Sequence, residues 1–449
     1  MNFKNIIDQI KNEFAAYPKI QFEVFLSHER QTTLEVKEQV LHAFEEADSI
    51  GAALRIIQDQ RLGFSYTTDL SLSGIQSLVR KTLETAPYAT QNPFLDFPEA
   101  TAFAEVKSVD FDSNLSQVSQ KKKLEIACQL EQSALQVDPR VKRVRGASYE
   151  SSDQEIYLYN SKGLERSHRR TMNVISLMAV AEDANEAESG FDYQFSSFLQ
   201  DLNPEEIGEN AGARALEYLN GRQSPTLKGP VVLDALVMAE ILEVLSPSFF
   251  ADHLVKKTSL FEGQEGKSIL SKLIHLKEDA FRRGAYVSCP FDGEGLAKQS
   301  IDIVKEGVFL QPFFDLEYAH RLQRNSTASS VREGIKSLPK IGISNFYLEG
   351  GNTSLEELFR KMNRGIYITE LVGLHTANPI SGDFSVGAQG FWVEEGEKKY
   401  ALKQMAVSGN LKEMLSQALI LGQDQRFYFK VGAPSVLFAE LQVAGGEKS

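Results

Sequence analysis

Cysteine is scarce in this sequence, which has only Cys128 and Cys289 among its 449 residues. Two thiols so far apart cannot form the dense disulfide framework of a small secreted protein, so we expect a reducing compartment. Long apolar runs are missing as well. The opening segment carries acids and amides where a secretory signal needs an apolar core, and no later run approaches the roughly 18 residues of a membrane span. We therefore predict a cytoplasmic protein that does not enter a membrane.

Positive charge is also in deficit, with 48 Lys and Arg against 61 Asp and Glu, for a net charge of -13. Such a surface repels a phosphate backbone, so nucleic acid is not an expected ligand. Hydrophobic residues at 42% and charged residues at 24% exclude a disordered chain and indicate a folded protein. The length predicts two or three domains.

Histidine is too sparse for a zinc site on one helix. The closest pair among the seven histidines, His28 and His42, is fourteen positions apart. A helical hydrolytic zinc site needs two histidines four or five positions apart with a glutamate beside them. A site assembled from scattered ligands stays open, and the candidates are Asp252, His253 and His275.

Other catalytic and nucleotide-binding motifs are missing too. The sequence has no G-x-S-x-G elbow and no G-x-x-x-x-G-K-[ST] loop, so serine hydrolase and phosphate-loop chemistry are disfavoured. We interpret both cysteines as small core residues. The acidic run Asp292-Gly293-Glu294-Gly295 lacks the further ligands of a calcium loop and predicts a tight turn.

Hydrophobic periodicity predicts an α+β protein. Helices are expected where apolar residues recur every three or four positions, and strands where they alternate. A stretch rich in Gly, Pro and polar residues, 221–230, is the best domain boundary. We predict an N-terminal domain, 1–221, with a mixed sheet and packed helices, and a C-terminal domain, 230–449, that is mostly antiparallel and barrel- or sandwich-like with a few helices. The strands predicted in the first domain are 20–26, 32–36, 51–58, 62–67, 141–149, 154–160 and 164–180.

One strongly apolar helix, predicted after a strand at 231–234, carries Glu240 and Glu243 one turn apart. If both carboxylates were buried, their repulsion would raise one pKa and make the pair reactive. The alternative is a narrow solvated stripe on a mostly buried helix.

Several motifs in the same order resemble one known family. The chain is similar to the TldD/PmbA family, and specifically to its PmbA (TldE) branch, over its full length. The motifs are residues 51–70 (GAALRIIQDQRLGFSYTTDL), 159–167 (YNSKGLERS), 291–295 (FDGEG), 325–328 (NSTA), 382–385 (GDFS) with Gly387 and Gly390, and 408–410 (SGN).

The resemblance implies a two-subunit zinc peptidase in which the TldD-type subunit carries a helical H-E-x-x-x-H motif and a late cysteine ligand. In this sequence the corresponding helix has Glu240 and Glu243 but no histidine, and no cysteine follows Cys289. The resemblance therefore implies a non-catalytic subunit without a cofactor of its own. Its zinc-bearing TldD-type partner would cleave peptides or unfolded proteins inside a shared enclosure.

Two alternatives remain open. One is a homodimeric regulatory protein that binds peptides or proteins without cleaving them, as the family's older description as modulators of DNA gyrase suggests. The other is a self-sufficient hydrolase with scattered metal ligands such as His253 and His275.

The loop at 373–390 is the remaining candidate site. It would line a peptide channel or a subunit interface, or its glycines would meet backbone demands only. The residues predicted as substrate or interface contacts are His375, Asn378, Gly382, Asp383, Phe384, Ser385, Gly387 and Gly390.

Overall fold

The computed structural model describes residues 3–100, 110–184 and 186–446. The helices within these ranges are α1 (Phe3–Phe14), α2 (Leu72–Thr85), α3 (Gln120–Gln136), α4 (Pro204–Tyr218), α5 (Ala235–Leu245), α6 (Ala251–Val255), α7 (Leu316–Arg321), α8 (Leu355–Met362) and α9 (Leu411–Ser416).

The strands fall into two groups along the chain. Those of the amino-terminal half are β1 (Gln21–Lys37), β2 (Val40–Gln58), β3 (Arg61–Thr67), β4 (Val141–Asn160), β5 (Glu165–Asp183) and β6 (Glu186–Ser196). Those of the carboxyl-terminal half are β7 (Arg222–Gln223), β8 (Leu227–Leu233), β9 (Leu276–Glu278), β10 (Ile301–Lys305), β11 (Val308–Phe309), β12 (Ser330–Val331), β13 (Lys340–Ile341), β14 (Phe346–Leu348), β15 (Gly365–Val372), β16 (Asp383–Glu394), β17 (Glu397–Asn410), β18 (Ala418–Leu421), β19 (Arg426–Tyr428), β20 (Val431–Ala433) and β21 (Val436–Ala444).

The amino-terminal half forms one six-stranded sheet in the order β3-β2-β1-β4-β5-β6. Every pairing in it is antiparallel, so the mixed sheet that we predicted for this half is wrong. Short turns explain the difference. The β1–β2 and β2–β3 turns each place two residues at positive φ, Glu38 with Gln39 and Asp59 with Gln60, as a two-residue turn of type I′ requires.

The two faces of this sheet have different neighbours. Val24 and Leu54 belong to a core with α1 and α2, while α3 and α4 pack farther along the same face. Phe25 and Ala53 point to the opposite face and form a small cluster with Ile335 of the carboxyl-terminal half. The alternation along the strands therefore separates helix contacts from contacts between the two halves.

The β1–β2 hairpin is longer than the sequence predicted. The strands predicted at 32–36 and 51–58 extend into arms that meet at residues 38–39, and the added segment at 40–50 is almost wholly exposed. Because β3 pairs with β2 only from Ala52 onward, no described strand covers the outer edge at 40–51. We call this segment the free edge of β2.

The carboxyl-terminal half contains a barrel of five strands. β8, β15, β16, β17 and β21 pair in a closed ring, and only the β8–β15 pairing is parallel. A second sheet has the order β11-β10-β9-β14-β20-β19. α5 packs between β15 of the barrel and β19 and β20 of the second sheet. These observations confirm the predicted α+β class and the mostly antiparallel, barrel-like second half.

None of the helices in the described ranges combines the length and apolar character needed to cross a bilayer.

Candidate functional site

A cavity of about 450 Å³ lies between the amino-terminal sheet and the carboxyl-terminal half. We call it the acidic cavity because Asp234, Glu240 and Glu370 are in its wall. β6 and α4 supply one side, and α5, α8, β15 and β16 supply most of the other. The aromatic side chains that line it are Phe191, Tyr193, Tyr218, Phe359, Tyr367, Phe391 and Tyr428.

The start of α5 fixes one end of the acidic cavity. Asp234 ends strand β8 and caps α5, with its Oδ1 accepting a hydrogen bond from the Leu236 N–H at 2.9 Å. Its Oδ2 accepts a second hydrogen bond, from the Tyr367 hydroxyl at 2.5 Å. Burial and the neighbouring Asp234 carboxylate raise the pKa of Tyr367 well above its usual value. Tyr367 is therefore a hydrogen-bond donor that holds Asp234 in place.

Glu240 follows Asp234 six residues later, within α5, and also lines the acidic cavity. Burial raises the pKa of Glu240 to about 7, and the nearby carboxylates of Glu370, Glu243 and Asp234 add to the shift by repulsion. A carboxyl group with this pKa exchanges its proton near neutral pH, which is the range useful to a general acid or base. The acidic cavity thus holds one group that can donate or accept a proton.

A bulge in β15 brings Thr369 and Glu370 into the cavity wall. The register of β15 against β16 shifts between Ile368 and Glu370. Gly390 permits the close approach, because a Cβ there would lie 2.0 Å from the Tyr367 carbonyl oxygen. The Thr369 hydroxyl then hydrogen-bonds the Tyr218 hydroxyl of α4 at 2.6 Å across the cavity. Gly390 therefore allows β15 and β16 to pack closely at the bulge, although it does not itself line the cavity.

The cations at the rim are paired with other acids. Lys398 Nζ lies 2.6 Å from Glu217 Oε1, and Arg214 Nη1 lies 3.3 Å from Asp192 Oδ1. Glu240 and Glu370 form no ion pair within 4.0 Å among the described residues, so these two wall carboxylates are available to a ligand. Aromatic faces combined with carboxylates suit a cationic or hydrogen-bond-donating group, such as an ammonium or a peptide N–H.

The donor atoms present do not fit a zinc site. In the ranges 3–100, 110–184 and 186–446, no three His, Cys, Asp or Glu side chains come together in a way that could hold a metal ion. His253 Nδ1 hydrogen-bonds the Thr258 hydroxyl at 3.1 Å, and His275 Nδ1 lies 3.3 Å from Glu349. Burial raises the pKa of the Cys289 thiol to about 11, so the thiolate that zinc needs is disfavoured. The predicted scattered ligands are not assembled in this part of the chain.

The predicted loop residues lie apart from the acidic cavity. Asn378 Oδ1 accepts the backbone N–H of Ile380 at 2.9 Å, and Asp383 Oδ1 accepts from Asn410 Nδ2 at 2.9 Å. Hydrogen bonds from the side chains of Asn410 and Ser381 lower the pKa of Asp383. Gly382, at φ +80°, lies in the turn between Asn378 and Asp383.

The other predicted residues of this region divide between surface and core. His375 and Ser385 are exposed, Gly387 is half-buried, and Phe384 is in the main core. None of the eight loop residues lines the acidic cavity. Their role as substrate or interface contacts stays a prediction. Glu240 does line the cavity, whereas Glu243 contributes repulsion from outside the wall.

Most of the acidic cavity was not found from the sequence. Asp234, Glu370 and the aromatic residues come from both halves of the chain and from five or more elements. A local signal existed only for Asp234, an acid between a strand and a helix that could be recognised as a cap.

The fold and the site together define an α+β protein with a carboxyl-terminal five-stranded barrel and a carboxylate-lined cavity between its halves. Successive parts of the chain match three domains of one family: PmbA/TldA metallopeptidase domain 1 at residues 22–86, the central domain at 113–219 and the C-terminal domain at 226–445. This chain belongs to the PmbA/TldD metallopeptidase family, as its motifs predicted.

Three relatives illustrate the similarity. The metalloprotease PmbA of Escherichia coli O157:H7 is 29% identical over 403 residues, which cover 89% of this chain and 87% of that protein. A Thermotoga maritima protein described as a candidate modulator of a DNA gyrase superposes with a TM-score of 0.90 at 26% identity, covering 99% of this chain and all of that one. TldE from Thermococcus kodakarensis superposes with a TM-score of 0.89 at 23% identity, covering 99% and 100%, and so shares the fold.

Proposed function

We propose that this chain is the non-catalytic subunit of a cytoplasmic metallopeptidase and that a TldD-type homologue supplies the zinc. One observation carries the proposal. The helix that would bear the family's metal motif, α5, has Glu240 and Glu243 and no histidine, yet it still lines a cavity between the halves. Carboxylates alone are a poor donor set for zinc in a peptidase site, where two histidines are usual.

The free edge of β2 supports pairing with another subunit. Val40 is 63% exposed, Leu41 49% and Phe44 41%, on a strand segment whose outer edge pairs with no described strand. Unpaired strand edges with apolar side chains are a ready surface for another chain. An extended peptide can also bind by adding a strand, which selects unfolded substrates because their backbone is accessible.

The test compares the pure chain with the chain mixed with a homologue that carries H-E-x-x-x-H. We expect the pure chain to contain no stoichiometric zinc after dialysis and to leave an unstructured fluorogenic peptide intact. The mixture should cleave the peptide, and a homologue whose first motif histidine is replaced by alanine is the matched control. Tight zinc binding together with cleavage by the pure chain would overturn the proposal.

A second candidate function is a homodimeric regulatory protein that binds peptides or proteins. The similarity to the Thermotoga maritima protein favours it, and the net charge of -13 favours contact with protein over contact with DNA. Purification from native cells separates the two candidates. Recovery of identical subunits only, with no zinc-motif homologue, would support the regulatory protein.

A further inference from the structure

A second cavity of about 540 Å³ lies beside the acidic cavity and shares Tyr193 with it. We propose that Arg282 in this second cavity binds a carboxylate of the peptide substrate. The cavity would thereby recognise the C-terminal end of a peptide or an acidic side chain. This inference rests on the proposed peptide-handling function. We call this space the Arg282 cavity.

The Arg282 guanidinium is held in place without a counterion. Its central carbon lies 3.6 Å from the centroid of the Phe427 ring, and the side chain is half-buried. Within the described ranges it makes no side-chain hydrogen bond and no ion pair within 4.0 Å. Stacking uses the face of the guanidinium and leaves its N–H edge for a ligand, and a carboxylate matches that edge with two parallel hydrogen bonds.

Neighbouring acids are already satisfied by other groups. Asp192, which is fully buried, accepts from Arg426 Nη2 at 2.7 Å, Arg214 Nη1 at 3.3 Å and Asn210 Nδ2 at 3.0 Å. Asp279 attracts Arg282 without an ion pair within 4.0 Å, and its Oδ1 accepts from the Phe281 N–H and the Ser300 hydroxyl.

The other charged groups in the wall have partners too. Glu206 Oε2 accepts from Asn203 Nδ2 at 2.9 Å, and Arg283 lies 3.9 Å from Asp201. Arg282 is therefore the cation in this wall that lacks an anionic partner among the described residues. Burying a cation without a counterion is unfavourable, and a bound anion would remove that cost.

The Phe427 ring is positioned by one hydrogen bond between the two halves and one within the carboxyl-terminal half. The Tyr193 hydroxyl of β6 donates to the Phe427 carbonyl oxygen at 2.6 Å, and Gln425 Nε2 donates to the Leu348 carbonyl oxygen at 2.8 Å. A site fixed before the ligand arrives loses less entropy on binding. A single guanidinium fits a carboxylate better than a polyanion, which the net negative charge of the chain repels.

The experiment measures binding of a labelled, unstructured ten-residue peptide without Asp or Glu to the full chain by fluorescence anisotropy. Three versions of the peptide are compared: a free C-terminal acid, a C-terminal amide, and the amide with one internal Glu. We expect at least one carboxylate-bearing version to bind roughly tenfold more tightly than the plain amide. Preference for the acid identifies the chain end, and preference for the internal Glu identifies a side chain.

Arg282→Met should abolish the preference, and Arg282→Lys should restore part of it. Arg324→Met is the matched control, because Arg324 is exposed, lies outside this cavity and is 2.9 Å from Glu265, so the preference should survive. Far-UV circular dichroism and the thermal midpoint of each variant establish that it is folded. Equal binding of all three peptides, no binding of any, or a preference that survives in Arg282→Met would overturn the inference.

The two proposals fail separately. If the mixture with the homologue cleaves peptides but all three peptides bind the chain equally, the carboxylate site alone is wrong. If the pure chain binds zinc and cleaves peptides, the proposed function is wrong whatever the anisotropy shows.

Discussion

Glu240 has a pKa that its surroundings in the acidic cavity raise into the neutral range. Its pKa of about 7 lies above the ordinary value of 4.5. The folded chain therefore holds a proton that the unfolded chain releases as pH rises from 4.5 to 7. By linkage, this carboxyl group lowers the free energy of unfolding progressively across that range, and the loss is complete above pH 7.

We expect Glu240→Gln to remove this pH dependence. Relative to the native chain, the variant should gain about 1 to 2 kcal/mol of unfolding free energy at pH 8 and little at pH 5, since the half-buried position screens part of the shift. Urea unfolding at the two pH values measures the difference. Glu84→Gln, at an exposed position of α2, is the control and should show no such change. An equal effect of Glu240→Gln at pH 5 and pH 8 would contradict the assigned pKa.

Individual residues of the site were predictable only where their chemistry is local. Glu240 and Glu243 stood out because two acids interrupt an apolar helix. Tyr193 and Glu370 reach the same cavity from β6 and β15, and no periodicity along the chain reports that meeting. The loop at 373–390 attracted interest through its glycines and polar groups, and the structure places its hydrogen bonds between β16 and the start of α9.

A helix whose first turn is capped carries a local signal that can be recognised in the sequence. Ser354 accepts from the Glu357 N–H at the start of α8, and Asn410 accepts from Lys412 and Glu413 at the start of α9. The arms of the β1–β2 hairpin were missed because residues 40–50 are almost all exposed. An exposed strand has no buried face and so shows no alternation of apolar and polar residues.

The free edge of β2 gives a prediction at the scale of the element. We expect Leu41→Lys combined with Phe44→Lys to weaken association with a zinc-motif homologue, or with a second copy of this chain, by tenfold or more, because lysines on a strand edge oppose pairing. Folding should change little, since both side chains are exposed. Sedimentation velocity of the mixture measures association.

Leu419→Lys is the control for that double variant, because Leu419 is also exposed, at 51%, but lies in the carboxyl-terminal half. It should associate like the native chain. Unchanged association of the double variant would exclude the free edge as the subunit contact.

The two halves of the molecule are joined by a buried ionic cluster. Glu23 of β1 accepts from Arg55 Nε at 2.9 Å and Nη2 at 2.7 Å, and it also accepts from Arg332 of the other half. Burial opposes ionisation of Glu23, but the two guanidinium groups outweigh it and lower its pKa. Arg332 Nε donates to the Gly293 carbonyl oxygen at 2.7 Å.

The acidic run that predicted a tight turn therefore has a second role. Asp292 Oδ1 accepts from the Glu294 and Leu296 N–H groups, both at 2.9 Å, which closes the turn. The same turn presents the Gly293 carbonyl to Arg332 and places Glu294 3.9 Å from Arg55. Burial and the neighbouring Asp292 raise the pKa of Glu294 to about 8. Only the three-dimensional packing of the two halves reveals this contact.

We expect Arg332→Met to destabilise the whole molecule by about 3 to 5 kcal/mol, because it leaves Glu23 buried with one cation fewer and removes a bond between the halves. The single tryptophan, Trp392, lies in the barrel and reports on the carboxyl-terminal half, while circular dichroism reports on the whole chain. In urea the unfolding transitions followed by tryptophan fluorescence and by circular dichroism should have different midpoints in the variant, because the two halves are less coupled. Arg143→Met, an exposed arginine 2.9 Å from Glu182, should cost less than about 1 kcal/mol. If Arg332→Met unfolds at the same urea concentration as Arg143→Met, the cluster does not hold the halves together.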